Sequence, residues 1–269
     1  MAETPSPVST RRHGRVLEIV LTNPPRGYMN ARMAADLLAT VRSAQADDSI
    51  GALLVTGGLE GVFVRHYDVG EIAAVSAALA EGRIGPEAFE KGSDVLDLVK
   101  AMIDSPIPTV AAINGMCMGG GCEFALSFDM RVAQTGDYRI GLPETRLGII
   151  PGVGGQYLLA RLIGVVRATA AVMRGAVFTP EEAHRLGVVD EVVADARARG
   201  LELAQDYAAR PRIGIDATRR LARMIEAGAP QQDVLDRTAR EFAGTLIDSP
   251  ETDRLIARFL GQGEDILAD

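Results

Sequence analysis

A glycine-rich segment between an apolar run and a helical run constrains the fold of this chain most. Residues 106–113 are apolar and predict a buried strand, and residues 124–128 predict an apolar helix. Between them lie residues 114–123, with three adjacent glycines at 119–121. Because glycine lacks a Cβ, the backbone there can approach a ligand and direct N–H groups at it. The segment therefore predicts either an anion site or a tight turn that lets the helix pack on a sheet.

The rest of the chain alternates predicted strands with predicted helices. Residues 33–46 and 86–103 carry apolar residues at helical spacing. Further strands are predicted at residues 15–21, 51–56, 131–133, 138–140 and 188–193. This alternation is typical of an α/β fold with a parallel or mixed sheet.

Two polar motifs predict where helices begin. Asp68 followed by Glu71 fits a capping box, in which the aspartate accepts from a backbone N–H and the glutamate reaches back to the cap. Thr179, with Pro180 at the first helical position and Glu182 three residues after the cap, predicts a second one. We therefore expect helices from about Val69 and from Pro180.

Composition divides the chain into three predicted segments. Residues 1–13 are polar and lack the apolar core of a secretory signal, so we expect a flexible N-terminal tail. Residues 14–199 carry the strand and helix alternation and are predicted to form the core domain. Residues 200–269 space arginines among apolar residues and predict amphipathic helices, which would serve as a lid or an assembly surface.

Charge and composition argue against several classes of partner. Lys and Arg total 28 against 36 Asp and Glu, a formal charge of -8, and no basic run favours nucleic acid binding. Glycine or proline interrupts the longest apolar stretches, so no membrane span is expected and the protein is predicted to be soluble. Cys117 and Cys122 lack the partners of a zinc site, so we expect no metal and a reduced, cytoplasmic compartment.

Two glutamates lie close to the glycine-rich segment. Glu123 falls in the first turn of the predicted helix, where the helix dipole favours a carboxylate. Glu144 follows Pro143 in a predicted loop. Taken singly, Glu123 is equally a structural helix-start residue and Glu144 a solvated turn residue, so the wider pattern has to decide.

Two long motifs resemble the enoyl-CoA hydratase/isomerase (crotonase) family. The first comprises residues 107–115 and 119–126 with Asp129, and the second comprises residues 141–144 and 147–155. The similarity extends over about residues 14 to 260 through Asn23-Pro24, Asn30-Ala31 and residues 175–190. The resemblance implies a spiral of ββα units and a C-terminal helical region that builds trimers, commonly paired into hexamers.

The resemblance also implies roles for individual residues. Glu123 and Glu144 would act on a water molecule placed against the C2=C3 bond of a 2-enoyl-CoA, one removing a proton from the water while an acid protonates C2. The backbone N–H groups of Gly120 and Tyr67 would hold the thioester oxygen as it becomes enolate-like. No metal or dissociable redox cofactor is implied, because amide dipoles can stabilise the enolate and CoA enters as part of the substrate.

One loop departs from the family pattern. Where the family has Phe-x-Ala-Gly-x-Asp, residues 63–68 read Phe-Val-Arg-His-Tyr-Asp. A histidine in place of glycine does not readily adopt positive φ, which predicts a shift of the loop and of the Tyr67 N–H. Either Arg65 and His66 face solvent, or His66 or Tyr67 lines the acyl pocket and narrows it.

The remaining predicted substrate contacts come from position in these motifs. Arg26 is a candidate ligand of the CoA phosphates, or else a solvated surface residue. The other predicted contacts are Arg65, His66, Asp68, Gly119, Pro143 and Gly152.

Several functions are compatible with these motifs. The leading hypothesis is an enoyl-CoA hydratase that forms a 3-hydroxyacyl-CoA, because both glutamates are present. A double-bond isomerase needs only one proton shuttle, and other crotonase-type enzymes share the oxyanion site. A catalytically silent CoA-binding or scaffold protein is the alternative from another class, and the unusual loop at 65–67 is the feature that supports it.

Overall fold

Pairs of strands followed by helices organise the computed structural model of this protein, which describes residues 6–88, 92–247 and 249–262. The described strands are β1 (Val8–His13), β2 (Val16–Leu21), β3 (Ala52–Gly57), β4 (Gly61–Val64), β5 (Thr109–Ile113), β6 (Gly115–Met118), β7 (Met130–Gln134), β8 (Ile140–Gly141), β9 (Val177–Phe178) and β10 (Glu191–Val193).

The helices follow the strand pairs along the chain. They are α1 (Ala31–Gln45), α2 (Val69–Ala80), α3 (Asp94–Ile103), α4 (Gly120–Leu126), α5 (Gly155–Ile163), α6 (Val165–Met173), α7 (Pro180–Leu186), α8 (Ala196–Ala209), α9 (Arg212–Glu226), α10 (Gln231–Leu246) and α11 (Pro250–Gly261). Two short 3₁₀ helices lie at Pro86–Ala88 and Glu144–Leu147.

The two strands of each consecutive pair belong to different sheets. The larger sheet has the order β1-β2-β3-β5-β7-β10, and the smaller has the order β4-β6-β8-β9. In the pairs β3/β4, β5/β6 and β7/β8, the first strand joins the larger sheet and the second joins the smaller. Most neighbouring strands are parallel, while β1 pairs antiparallel with β2 and β9 antiparallel with β8. The predicted α/β fold built from ββα units is confirmed.

The core forms where apolar strands are covered by helices. Every residue of β3 and β5 is buried, as expected for parallel strands with both faces covered. Helix α1 packs against α3 and buries Met33, Leu37 and Val41 on its apolar side. A Cβ at Gly200 of α8 would lie 2.9 Å from the side chain of Leu54 in β3, so this helix packs closely on the larger sheet.

The prediction of a flexible tail over residues 1–13 is wrong for residues 8–13. These residues form β1, which pairs with β2 over its whole length. Its side chains are mostly exposed, so the strand carries a polar sequence and has no apolar periodicity to detect. Residues 1–5 of the predicted tail lie outside the described residues.

Short strands in the smaller sheet also escape sequence prediction. The 114–123 segment is not all turn, because it contains β6, and β4 was not predicted. A Cβ at Gly115 would lie 1.9 Å from the carbonyl carbon of Gly61, so this glycine is required by the close approach of two strands. Apolar periodicity cannot reveal such a strand, since its pairing depends on backbone contact.

Three other element boundaries differ from prediction. The helix predicted over 86–103 begins at Asp94 in α3 and is preceded by a 3₁₀ turn, with residues 89–91 outside the described part. The strand predicted at 188–193 begins at Glu191. By its contacts the chain separates into residues 1–207 and 208–269, so the core extends past the predicted boundary at 199 because α8 packs on the larger sheet.

The second unit, residues 208–269, is helical in its described part. Within it, Glu241 of α10 accepts hydrogen bonds from Arg220 of α9 and from Arg237, one turn earlier in α10. The predicted amphipathic helices are therefore present, and their role in assembly stays a prediction. In the described part of the chain, no helix is both long and apolar enough to cross a membrane.

A buried carboxylate ties the edge of the larger sheet to α8. Glu18 of β2 is 1% exposed and accepts hydrogen bonds from Arg197 of α8 and from His13 of β1. Burial raises the pKa of Glu18, but the bonds from Arg197 and His13 outweigh it and leave the pKa below its ordinary value. The ionised form of Glu18 therefore stabilises the fold.

Replacing Arg197 with Met should destabilise the protein by about 1–3 kcal/mol at neutral pH, because it leaves the buried carboxylate of Glu18 short of donors. Because the pKa of Glu18 is lowered in the folded state, its ionised form contributes fully at pH values above the ordinary pKa of glutamate. The difference in unfolding free energy between wild type and variant should therefore shrink as pH falls through the pKa of Glu18. Urea unfolding between pH 7 and pH 3 measures the unfolding free energy of both proteins. Arg42→Met, at the exposed Arg42–Asp97 pair, is the control. Equal losses for the two variants at all pH values would contradict the prediction.

Candidate active site

The candidate site lies where three parallel strands of the smaller sheet end. The loop at 65–68 follows β4, the glycines at 119–121 follow β6, and Glu144 lies three residues after β8. Strands β4, β6 and β8 are neighbours in parallel register, with Val64 opposite Cys117 and Cys117 opposite Ile140. The sheet therefore brings the loop, the glycine turn and Glu144 to one edge.

The glycine turn brings two backbone segments together. Gly119 adopts φ +52°, which only glycine tolerates readily, and α4 begins at the next residue. A Cβ at Gly120 would lie 3.1 Å from the Cβ of Tyr67 and 3.6 Å from its backbone nitrogen. The N–H of Gly120 opens α4 and so has no acceptor within that helix. The two predicted oxyanion donors are therefore neighbours.

The loop at 65–68 stays attached to its surroundings in spite of its large side chains. The N–H of Met29 donates to the carbonyl of His66 (2.9 Å), and the N–H of Asp68 donates to the carbonyl of Met29 (2.7 Å). The N–H of Met118 in β6 donates to the carbonyl of Arg65 (3.1 Å). These bonds place Tyr67 beside Gly120. Within the described residues, its own N–H is bonded to no backbone carbonyl.

Glu123 is held by the start of α5. Its carboxylate accepts three backbone N–H bonds, from Gly155 (2.7 Å), Val153 (2.9 Å) and Gly152 (3.2 Å). The side chain is almost fully buried, and burial leaves its pKa above the ordinary value although the three N–H bonds oppose the rise. The helix-start position predicted for Glu123 is confirmed. Its carboxylate is fixed in place by donors that favour the ionised form.

Gly155 has to be a glycine because of Glu123. A Cβ at this position would lie 2.7 Å from the Cγ of Glu123 and 2.9 Å from Oε1. Real Cβ atoms do not approach other atoms so closely, so any side chain at 155 would displace the carboxylate. Gly155 of the second motif therefore leaves the space that the Glu123 carboxylate of the first motif occupies.

Glu144 occupies a different environment. It begins a 3₁₀ helix, is 9% exposed, and its Oε2 has no hydrogen-bond partner among the described residues. A Cβ at Gly119 would lie 3.2 Å from Oε1 of Glu144, so the carboxyl abuts the glycine turn. Burial raises the pKa of Glu144 to about 7; its own backbone N–H opposes the rise and the charge of Glu123 adds to it. The interpretation of Glu144 as a solvated turn residue is wrong.

These environments give the two carboxyl groups different roles. Three N–H donors stabilise negative charge on Glu123, whereas no described residue donates to Oε2 of Glu144, whose pKa is raised to about 7. A pair of titratable groups in unequal environments is the usual arrangement of a general base and a general acid. The site can therefore remove a proton at one point and deliver one at another.

The unusual side chains of the loop pack against one another. The ring of His66 stacks on Tyr28 with centroids 4.3 Å apart, and its Nδ1 donates to the carbonyl of Tyr67 (2.7 Å). Arg26 donates to the hydroxyl of Tyr28 (3.1 Å), and Arg65 donates to the carbonyl of Arg26 (3.1 Å). His66 is half-buried rather than free in solvent, and its Cβ lies 3.7 Å from a Cβ placed at Gly119.

Other predicted site residues have structural partners. Asp68 caps α2 by accepting from the N–H of Gly70 (2.8 Å), and Pro143 precedes the 3₁₀ helix that begins at Glu144. Gly152 donates its N–H to Glu123. Arg26 is exposed on the surface. Their contacts with substrate stay predictions.

Sequence reasoning missed the role of Glu71. The expected capping box is half correct, because Asp68 caps α2 but its N–H goes to Met29 and does not meet Glu71. Oε2 of Glu71 instead accepts from the hydroxyl of Tyr67 (2.6 Å) and from the N–H of Ala31 at the start of α1 (3.0 Å). The position of a glutamate three residues after a helix cap predicts a bond to the cap. It does not indicate that the glutamate will accept from a tyrosine hydroxyl or from the start of another helix.

Comparison with known proteins agrees with this geometry. The family model for enoyl-CoA hydratase/isomerase matches residues 11–246. Among solved structures, the chain resembles an enoyl-CoA hydratase from Thermoplasma volcanium GSS1, with a TM-score of 0.83 and 28% identity over 96% of this chain and 99% of that one.

Curated relatives are longer proteins. The chain is 33% identical over 203 residues to the peroxisomal bifunctional enzyme of Pongo abelii, and 31% identical over 182 residues to the glyoxysomal fatty acid beta-oxidation multifunctional protein MFP-a of Brassica napus. The matches cover 75% and 67% of this chain. They cover 26% and 24% of the relatives, so the chain spans about a quarter of the length of the curated relatives it matches.

Replacing Glu144 with Gln should change the pH dependence of stability. Because the pKa of Glu144 is raised to about 7 in the folded state, the wild type loses stability as pH rises from about 4.5 to about 7. The variant has no carboxyl to ionise at this position. Its unfolding free energy should therefore rise by about 1–3 kcal/mol relative to that of the wild type between pH 4 and pH 8. Urea unfolding at several pH values measures it, with exposed Glu81→Gln as the control. A difference between variant and wild type that is independent of pH would contradict the assignment.

Proposed function

Because the chain belongs to the enoyl-CoA hydratase/isomerase family, we propose that it is an enoyl-CoA hydratase, which adds water across the C2=C3 bond of a 2-enoyl-CoA to give a 3-hydroxyacyl-CoA. The observation that carries the proposal is the pair of buried carboxyls in unequal environments beside Gly120 and Tyr67. Hydration needs a base for the attacking water and an acid for C2. An isomerase needs only one group that moves a proton between two carbons.

Glu123 is the base in this proposal. Its Oε2 accepts a single N–H bond, so a lone pair is available to take a proton from water attacking C3. The three N–H bonds fix the carboxylate before the substrate arrives and offset part of the effect of burial on its pKa. The hydroxyl oxygen of the product comes from this water.

Glu144 is the acid. Because burial raises its pKa to about 7, about half of the molecules carry this proton at neutral pH. As the C3–O bond forms, electrons move to the thioester oxygen, and the enolate then takes the proton of Glu144 at C2. Glu123 ends protonated and Glu144 ionised, and exchange of one proton between them and solvent restores the starting state.

The oxyanion site supplies the remaining stabilisation. In the proposed mechanism the N–H groups of Gly120 and Tyr67 bind the thioester oxygen, and each such donor typically contributes about 3–4 kcal/mol. These donors belong to the backbone and need no reorganisation during the reaction. The proposed chemistry therefore needs no metal or redox cofactor, and CoA enters with the substrate.

Substrate recognition and assembly are further parts of the proposal. Arg26 and Arg65 would contact CoA, and His66 would narrow the acyl pocket beside Gly119. A trimer or a hexamer is proposed through the C-terminal helices, which expose apolar side chains including Phe242 and Leu260. A cytoplasmic location is proposed from the reduced cysteines, although two named relatives are peroxisomal or glyoxysomal.

The wild type should hydrate crotonyl-CoA, seen as loss of the conjugated-thioester absorbance. Glu123→Gln and Glu144→Gln should each lower kcat by about 10²–10⁴-fold, because each removes one partner of the acid–base pair. Exposed Glu81→Gln, the same substitution at a surface ion pair, should keep wild-type kinetics.

Other outcomes would support the alternative functions. Conversion of a 3-enoyl-CoA to a 2-enoyl-CoA without hydration of crotonyl-CoA would make the protein an isomerase. Absence of turnover together with absence of CoA binding would indicate a silent scaffold protein and would refute the hydratase.

A further inference from the structure

The carboxylate of Glu71 connects the loop at 65–68 to two helices through hydrogen bonds. One oxygen of Glu71 in α2 accepts from the hydroxyl of Tyr67 (2.6 Å) and from the N–H of Ala31, the first residue of α1 (3.0 Å). The link thus joins the loop to the first turns of two helices. The acid–base chemistry proposed above makes no use of Glu71.

The side chain that Glu71 holds belongs to the residue whose backbone is the second oxyanion donor. The Cβ of Tyr67 lies 3.1 Å from where a Cβ of Gly120 would be, and its nitrogen lies 3.6 Å away. A tilt or shift of Tyr67 as a whole residue would therefore move atoms that pack directly on the other donor. The bond from the Tyr67 hydroxyl to Glu71 anchors the far end of this residue, and the contact at Gly120 limits its near end, so together they resist such a tilt.

Among the described residues, the other hydrogen bonds of this loop involve its backbone or the side chains of Arg65, His66 and Asp68. Met29 bonds to the residues on either side of Tyr67, at His66 and Asp68. Tyr67 is half-buried, and its pKa is raised by burial and then by the bond to Glu71, so its hydroxyl stays protonated and can donate at neutral pH. The bond to Glu71 is thus the one that acts on the side chain of Tyr67 itself.

We propose that Glu71 is a positioning residue, which acts through the hydroxyl of Tyr67 to keep the Tyr67 N–H aligned with that of Gly120 at the thioester oxygen. This inference rests on the proposed function and deepens it. Glu71 does not touch the substrate. Its oxygen serves as an acceptor, so its charge is not required.

Variants of Glu71 and Tyr67 separate the effect of the hydrogen bond from the effect of the charge on Glu71. Glu71→Ala removes the acceptor, and Tyr67→Phe removes the donor while the ring and the backbone stay. Glu71→Gln keeps a carbonyl oxygen that can accept both bonds, so it is the rescue variant. Glu81→Ala removes an exposed glutamate just after the other end of α2 and serves as the matched control.

The test measures the absorbance of bound cinnamoyl-CoA, a conjugated thioester whose spectrum moves to the red when its carbonyl is polarised. The wild type, Glu71→Gln and Glu81→Ala should show the full red shift. Glu71→Ala and Tyr67→Phe should lose a large part of it, and the double variant should lose no more than either single variant, because both act on one bond.

Kinetics provide the second readout. Loss of a whole oxyanion donor lowers kcat by about 10²–10³-fold, so misalignment of one should lower it by about tenfold in Glu71→Ala and Tyr67→Phe, with KM for crotonyl-CoA little changed. Thermal unfolding of each variant checks that the fold is intact. A role confined to stability would lower the melting temperature and leave the red shift and kcat of the folded protein unchanged.

The outcomes distinguish this inference from the proposed function. A red shift in the wild type that Glu71→Ala and Tyr67→Phe both retain overturns the positioning role and leaves the hydratase standing. Equal losses in Glu71→Gln and Glu71→Ala also overturn it, since charge would then be the property required. If the wild type binds cinnamoyl-CoA without any red shift, the oxyanion site is absent and both proposals fail.

Discussion

The site depends on three backbone N–H groups that converge on the buried carboxylate of Glu123. Gly152 and Val153 supply two of them from the turn before α5, and Gly155, the first residue of α5, supplies the third and has no room for a side chain beside that carboxylate. Without these donors a carboxylate this deeply buried would take up a proton. The second glycine-rich motif is thus explained by the charge it stabilises in the first.

The smaller sheet sets the positions of the other groups. Because β4, β6 and β8 are parallel neighbours, the segments that follow them meet at one edge. Glu144 lies there with no donor to its Oε2 among the described residues, and its pKa is raised to about 7. The backbones of Gly120 and Tyr67 lie side by side at the same edge. The two carboxyls of one site therefore lie in environments that treat negative charge differently.

Sequence predicted the parts of this site that depend on local pattern. The helix-start position of Glu123, the glycine turn and the alternating strands and helices all follow from spacing along the chain. The donors of Glu123, about 30 residues away, and the burial of Glu144 depend on tertiary approach, which no local pattern encodes. Strand β1 and the contacts of Glu71 escaped prediction for related reasons: β1 is polar at an exposed edge, and Glu71 fits a common cap motif while binding other groups.

The origin of the atoms added to the substrate tests most directly whether the site of Glu123 and Glu144 hydrates an enoyl-CoA. Crotonyl-CoA would be turned over in H₂¹⁸O and, separately, in D₂O, and the product examined by mass spectrometry. Hydration through these carboxyls predicts ¹⁸O at C3 and deuterium at C2, with both labels lost in Glu123→Gln and Glu144→Gln. Deuterium on carbon without ¹⁸O at C3 would contradict it, because the site would then only move protons between carbons.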